Sequence, residues 1–118
     1  MKKARGLKVK NSTIEAEISF RFLSLDKFQA YSLVREILGA THKEDEASNR
    51  YLAYVPLTKH NFEDINDYFV RQRVEVEACD IFVSVNADTK GADVNVPTIV
   101  NRMLKYIDCK LTFSFTVE

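Results

Sequence analysis

The chain has 118 residues, 46% of them hydrophobic, with 8 Phe and 5 Tyr, so one globular domain can build a core without metal or disulfide staples. It holds no apolar run of the roughly 20 residues that a bilayer-crossing helix needs, and its basic start is not followed by the apolar region of a signal peptide. We therefore expect a cytoplasmic protein that does not bind membranes.

The formal charge of zero is unevenly distributed along the chain. Residues 1–10 carry five basic side chains and no acid, which leaves 12 basic residues against 17 acids, or about −5, in the remainder. We predict a basic N-terminal arm over residues 1–13, dispensable for folding, and a single α+β domain over residues 14–118. The acidic balance of that domain argues against nucleic acid as a partner.

The first half of the domain is predicted to run strand, helix, loop, strand. Polar and apolar residues alternate over residues 14–22, which is typical of a strand with one buried face. A helix capped by Ser24 follows and is stopped by Gly39. Its inward residues are predicted to be Ala30, Leu33, Val34, Ile37 and Leu38. Residues 41–50 are predicted to be a surface loop, and residues 51–57 a short strand that Pro56 places at an edge or an end.

The second half is predicted to add two more helix–strand units. A helix begins at Asn61 and buries Phe62, Ile65 and Phe69. Residues 74–87 form a strand in which the apolar parity changes, so we predict a bulge at Cys79–Asp80. A third helix is capped by Asn95, with Pro97 in its first turn. Its inward residues are predicted to be Ile99, Val100, Met103, Leu104 and Ile107.

The last strand, residues 108–118, has the cleanest alternation in the chain. Its apolar side, which includes Phe113, is predicted to face the core, and its polar side, which includes Thr112 and Ser114, to face outward. The resulting fold class is α+β, in β-α-β-α-β-α-β order. We predict a two-layer sandwich with a mainly antiparallel four-strand sheet and three helices on one face. Whether residues 6–10 add a strand stays open.

Motifs for metal, nucleotide or nucleophilic chemistry are weak or absent. Residues 86–93 resemble a calcium loop, but Lys90 occupies a ligand position and Pro97 stands where the bidentate glutamate belongs. Cys79, Cys109, His42 and His60 include no local chelating pair, and a Cys79–Cys109 disulfide is disfavoured in an intracellular chain. There is no glycine-rich phosphate loop and no nucleophile elbow. We expect no cofactor, no metal and no enzymatic activity.

Three stretches of the chain carry a resemblance to a known family. They are ISFRF at 18–22, VREILG at 34–39 and MLKYIDCKLTFSF at 103–115. Together they resemble the DUF4279 family of small uncharacterised bacterial domains, over most of the chain. The resemblance implies a small bacterial cytosolic α+β domain and assigns no active residues.

Two functional hypotheses follow from these observations. The first is a non-enzymatic protein-binding domain, most concretely a bacterial immunity protein that neutralises a cognate toxin, since an acidic body would complement a basic toxin domain. The alternative is a small-ligand-binding or enzymatic domain that uses the open face of the sheet. For the first hypothesis we predict an acidic steering surface, which consists of Glu44, Asp45, Glu46, Glu63, Asp64 and Asp67.

Overall fold

The computed structural model describes residues 14–87 and 94–117. The predicted basic arm, residues 88–93 of the predicted 86–94 loop and Glu118 lie outside the described residues. The elements follow in chain order: β1 (Ile14–Glu15), β2 (Glu17–Leu25), α1 (Lys27–Glu36), β3 (Thr41–Asp45), β4 (Arg50–Pro56), α2 (Phe62–Arg71), a 3₁₀ turn (Val76–Ala78), β5 (Cys79–Ala87), β6 (Val94–Asn95), α3 (Ile99–Tyr106) and β7 (Lys110–Val117).

The main sheet has five strands in the order β3-β4-β2-β5-β7. All neighbours are antiparallel except β5 and β7, which run parallel and keep register from Asp80–Lys110 to Ala87–Val117. The short strands β1 and β6 form a separate parallel pair. The α+β class and the three helices are therefore confirmed. The sheet is mainly antiparallel, as predicted, but it has five strands instead of four and is mixed because of the parallel β5–β7 pair.

The additional strand, β3, lies in the stretch that we had predicted to be a loop. It forms a hairpin with β4, and the turn between them includes Asn49 with a positive φ of 60°. The stretch was misinterpreted because it has no large apolar residue to bury. An edge strand needs none, since its backbone hydrogen bonds to one neighbour hold it in place.

The predicted bulge at Cys79–Asp80 is also wrong. The chain makes a 3₁₀ turn over Val76–Ala78, and the strand begins only at Cys79. From there Cys79, Ile81, Val83 and Val85 share one buried face. The change of apolar parity therefore marks the point at which the strand starts and not an irregularity within it.

Helix α1 begins two residues later than predicted. Strand β2 continues to Leu25, and Asp26 is the cap: its carboxylate accepts the Gln29 N–H at 2.8 Å, and the Gln29 side chain accepts the Asp26 N–H at 3.0 Å. The helix buries Ala30 and Leu33, whereas Val34 and Leu38, which were predicted to face inward, are exposed. Gly39 follows the helix with a φ of +90°.

Helices α2 and α3 bury most of the predicted residues, with three corrections. In α2, Tyr68 is fully buried and Phe69 only partly so; the Tyr68 hydroxyl donates to the Gln29 carbonyl of α1 at 2.6 Å. Before α3, Asn95 belongs to β6, and Thr98 rather than Asn95 is the cap, so Pro97 precedes the helix. Leu104 is partly buried.

The core lies between the helices and one face of the sheet. It draws on every second residue of β2, β4 and β5 and on the inner sides of the three helices. Phe20 and Phe22 are fully buried at its centre, and the Phe22 ring meets the Tyr68 ring edge-on at 5.3 Å between centroids. None of the described helices is long and apolar enough to cross a membrane.

The apolar side of β7 differs most from expectation. Leu111, Phe113 and Phe115 pair in register with the buried Ile81, Val83 and Val85, so they lie on the helix-bearing face of the sheet. Even so, Phe113 is 62% exposed and Phe115 is 51% exposed. The register agrees with the predicted direction of these side chains, toward the helices. The prediction that they belong to the core is wrong, because the helices cover β5 and not the edge strand β7 beside it.

Candidate functional site

The open face of the sheet carries a polar cluster at its centre. Asp80 is only 1% exposed, and Arg21 donates to its two oxygens from Nε at 2.8 Å and from Nη2 at 2.5 Å. The Thr112 hydroxyl donates to Oδ2 of the same carboxylate at 2.7 Å. The Arg21 guanidinium also lies 4.2 Å from the centre of the Phe82 ring. Three strands, β2, β5 and β7, are thereby joined on this face.

The electrostatics of this cluster keep both partners charged. Burial by itself raises the pKa of Asp80, but the hydrogen bonds from Arg21 and Thr112 and the attraction of Arg21 and Lys110 outweigh burial, and the pKa lies below its ordinary value. The hydrogen bond to Asp80 raises the pKa of Arg21. Both oxygens of Asp80 are already acceptors, so this carboxylate is poorly placed for proton transfer.

A pocket of about 310 Å³ lies where β5 and β7 begin, and both cysteines line it. Cys79 and Cys109 immediately precede the paired residues Asp80 and Lys110, which makes them neighbours across the two strands. Both thiols are free. The neighbouring Cys79 thiol lowers the pKa of Cys109, whereas the Cys109 thiol and burial raise the pKa of Cys79.

The six residues of the predicted acidic surface are all exposed, but they belong to separate elements. Glu44 and Asp45 are in β3, with Glu46 in the turn that follows. Glu63, Asp64 and Asp67 are on the outer side of α2. Asp45 is partly committed to its own turn, since it accepts from the Ser48 hydroxyl at 3.0 Å and from the Ala47 N–H at 3.3 Å.

A second group of side chains, on the outer side of α1, was not predicted. We call it the α1 patch. Its apolar members are exposed to an unusual degree: Phe28 by 88% and Leu38, just past the helix end, by 96%. A pocket of about 330 Å³ opens beside Phe28, Tyr31 and the basic residues. The α1 patch consists of Lys27, Phe28, Tyr31, Val34, Arg35 and Leu38.

Helix α1 has two apolar sides, which explains how the α1 patch arises. Ala30, Leu33 and Ile37 recur at helical spacing and pack into the core. Residues 28, 31 and 35 recur at the same spacing, displaced around the helix, and so lie together on the outside. The third side, with Gln29 and Glu36, meets α2: Glu36 accepts from Arg71 at 2.7 Å.

The α1 patch is continuous with β3 through a group of stacked rings. The His42 ring of β3 stacks on the Tyr31 ring with 4.9 Å between centroids and 13° between planes. Tyr51 of β4 meets both rings edge-on. Burial and the nearby Glu44 carboxylate raise the pKa of Tyr51. One half of the predicted acidic surface therefore borders the α1 patch.

Sequence reasoning missed the α1 patch because one apolar stripe was enough to explain a helix that packs on a sheet. The usable signal was the second stripe, in which Phe28 and Tyr31 fit none of the inward positions. An aromatic pair with Lys27 and Arg35 beside it, off the core-facing side of a helix, is typical of a binding surface.

No group of three or more potential metal ligands occurs among residues 14–87 and 94–117. In comparisons with protein-family models, curated proteins and solved structures, nothing matches this chain. The resemblance to DUF4279 therefore stays a prediction.

Proposed function

We propose that this chain is a non-enzymatic protein-binding domain that uses the α1 patch as its anchor. The observation that carries the proposal is the exposure of Phe28 and Leu38, which gain nothing from the domain's own core and are costly to leave in water. Affinity at protein interfaces usually rests on a few aromatic and arginine side chains, and the α1 patch supplies Phe28, Tyr31 and Arg35 together.

The most concrete form of the proposal is a bacterial immunity protein, acting in the cytoplasm, whose partner is a basic toxin domain with an apolar recess. Beside that recess the partner would present acidic or carbonyl groups to Lys27 and Arg35, with its basic surface facing β3 and α2. Phe28 would fill the recess. Glu44, Asp45 and Glu46 border the α1 patch, where they would steer a basic partner toward it. Glu63, Asp64 and Asp67 on α2 would add to the long-range attraction without touching the partner.

The open sheet face supports the alternative, a small-ligand or enzymatic role, less well. Its most deeply buried charge is Asp80, and Arg21 and Thr112 already occupy both of its oxygens. A ligand that sought that carboxylate would have to displace an internal partner at a cost of several kcal/mol.

The test is capture of a candidate toxin. The gene product encoded beside this chain, purified as an inactive variant, would be passed over immobilised wild type, Phe28→Ser and Val70→Ser. Val70 is the matched control because it is also an exposed apolar residue, on α2. We expect wild type and Val70→Ser to retain the toxin and Phe28→Ser to lose it. Equal retention by all three would contradict the role of the α1 patch.

The steering role is tested separately with the same toxin. Reversal of all six predicted acids to lysine should slow association strongly at low salt and less at high salt. Thermal stability should fall only modestly: all six are exposed, but Asp45 accepts hydrogen bonds in its own turn and Glu63 and Asp64 lie in the first turn of α2. If the reversal leaves the association rate unchanged at every salt concentration in the series, these carboxylates serve only to solubilise the domain. Recovery of a small molecule and no protein would favour the alternative function.

A further inference from the structure

The two edges of the five-stranded sheet differ in how they are protected. Strand β3 forms one edge and reads Thr-His-Lys-Glu-Asp: short and largely charged, which discourages pairing with another chain. Strand β7 forms the other edge and reads Lys-Leu-Thr-Phe-Ser-Phe-Thr-Val, without proline and with a single charge at its start. Its register with β5 is unbroken over eight residue pairs, so no bulge turns it away.

Strand β7 also leaves apolar surface uncovered on the helix-bearing face. Across the pairs Ile81–Leu111, Val83–Phe113 and Val85–Phe115, the β5 member is buried and the β7 member is exposed. Among residues 14–87 and 94–117, the helix layer thus ends above β5. The uncovered apolar side of β7 forms a step beside that layer. Whatever fills this step must continue the sheet and bring apolar side chains on the same face.

We infer that β7 pairs antiparallel with β7 of a second copy of this chain, giving a two-fold dimer with a continuous ten-stranded sheet. A two-fold axis requires that the same strand meet itself antiparallel. In the registers that keep the faces matched and pair most of the strand, Phe113 lies within cross-strand reach of Phe113 or Phe115 of the second copy. The exposed apolar sides of the two β7 strands then cover each other.

The single charge of β7 favours antiparallel pairing with a second copy of the chain. Lys110 is the only charged side chain in the strand. Antiparallel pairing sends the two Lys110 side chains to opposite ends of the joint, whereas a parallel neighbour would place them side by side. On the open face, Thr112 and Ser114 would meet hydroxyl side chains of the second copy, which are favourable cross-strand neighbours.

The dimer leaves the α1 patch free. Helix α1 packs over β3 and β4, at the opposite edge of the sheet. Four strand spacings separate the two edges, or about 19 Å. The dimer would therefore present two α1 patches at once, and its test does not depend on whether the proposed partner of the α1 patch exists.

Sedimentation of the full chain over a concentration series tests this inference. We expect a reversible dimer in wild type. Phe113→Lys should weaken dimerisation at least about ten-fold, since it places a charge in the apolar step. Val70→Lys, at an exposed apolar position on α2, is the matched control and should dimerise like wild type. Thermal stability of Phe113→Lys equal to that of wild type, compared at concentrations below the dimerisation range, would show that the variant is folded.

Three outcomes would overturn the inference. A wild type that is monomeric at every concentration excludes the dimer, and a dimer that survives Phe113→Lys places the interface elsewhere. Hydrogen exchange on β7 distinguishes pairing with a second copy from pairing with residues 1–13 of the same chain. Protection of β7 amides should rise with protein concentration; protection that is independent of concentration and is lost when residues 1–13 are deleted would assign the edge to the chain's own arm.

Discussion

Arg21 and Asp80 are direct cross-strand partners of β2 and β5, and both oxygens of the buried carboxylate accept hydrogen bonds from one guanidinium. Thr112 extends the pair to β7. The ion pair therefore stabilises the sheet on its open face, while apolar packing stabilises it on the opposite face. A charge pair of this kind depends on both partners, because either charge left alone is poorly solvated.

Removal of one partner should cost more than removal of both. We expect Asp80→Asn to lower the free energy of unfolding by about 3 to 5 kcal/mol, since it leaves Arg21 without its countercharge. The double variant Arg21→Met, Asp80→Leu should recover much of that loss. Urea denaturation of Arg21→Met alone, Asp80→Leu alone and the double variant measures the coupling; additive losses would contradict a mutually dependent pair.

The same pair predicts how stability depends on pH. The pKa of Asp80 is lower in the folded protein than its ordinary value, so its stabilising contribution is present above the pKa of the unfolded chain, about 4, and disappears as the pH falls through the folded-state pKa. The difference in unfolding free energy between wild type and Asp80→Asn should shrink below pH about 4. A constant difference down to pH about 2 would contradict this assignment.

On β7, we predict that removal of an apolar side chain costs less stability than removal of a polar one. Because Phe113 is largely exposed, Phe113→Ala should cost less than about 1 kcal/mol in the monomer. Thr112→Ala should cost about 1 kcal/mol, because it removes a hydrogen bond to buried Asp80. Phe20→Ala, in the core, is the reference and should cost about 3 to 5 kcal/mol.

These three variants should be compared at protein concentrations below the dimerisation range. If Phe113→Ala lowers the free energy of unfolding nearly as much as Phe20→Ala, the β7 aromatics are core residues, as the alternation alone had suggested. The same experiment therefore tests where the helix layer ends.

The neighbouring thiols should react at different rates. Cys109 is partly exposed and its pKa is lowered, whereas Cys79 is buried and its pKa is raised. Alkylation follows the thiolate, so iodoacetamide should label Cys109 first in the folded protein. Peptide mass mapping of the wild type after partial alkylation resolves the two sites. Faster labelling of Cys79 would contradict this order of reactivity.

The sequence allowed the α+β class and most of the buried positions to be predicted, because a repeated polarity pattern reports a buried face directly. Residues 14–22 are an example: Ala16, Ile18, Phe20 and Phe22 are all buried. Strand β3 could not be predicted in this way. Its side chains contribute little to the core, and what defines it is backbone pairing with β4.

Whether the apolar side of β7 is buried depends on information that no local sequence pattern contains. Alternation shows that Phe113 and Thr112 point to opposite faces, but the reach of the helix layer over those faces is a property of the whole fold. The α1 patch is a different case. Phe28 and Tyr31 are visible at helical spacing in the sequence, and they were overlooked because the inward stripe already explained the helix.

The central claim, that the chain binds a protein through the α1 patch, is tested most directly by calorimetry with the toxin that wild type captures. Phe28→Ala should weaken binding by at least about 2 kcal/mol, as expected of a buried aromatic anchor, while Val70→Ala binds like wild type and both variants melt like wild type. An affinity for Phe28→Ala equal to that of wild type would contradict the account.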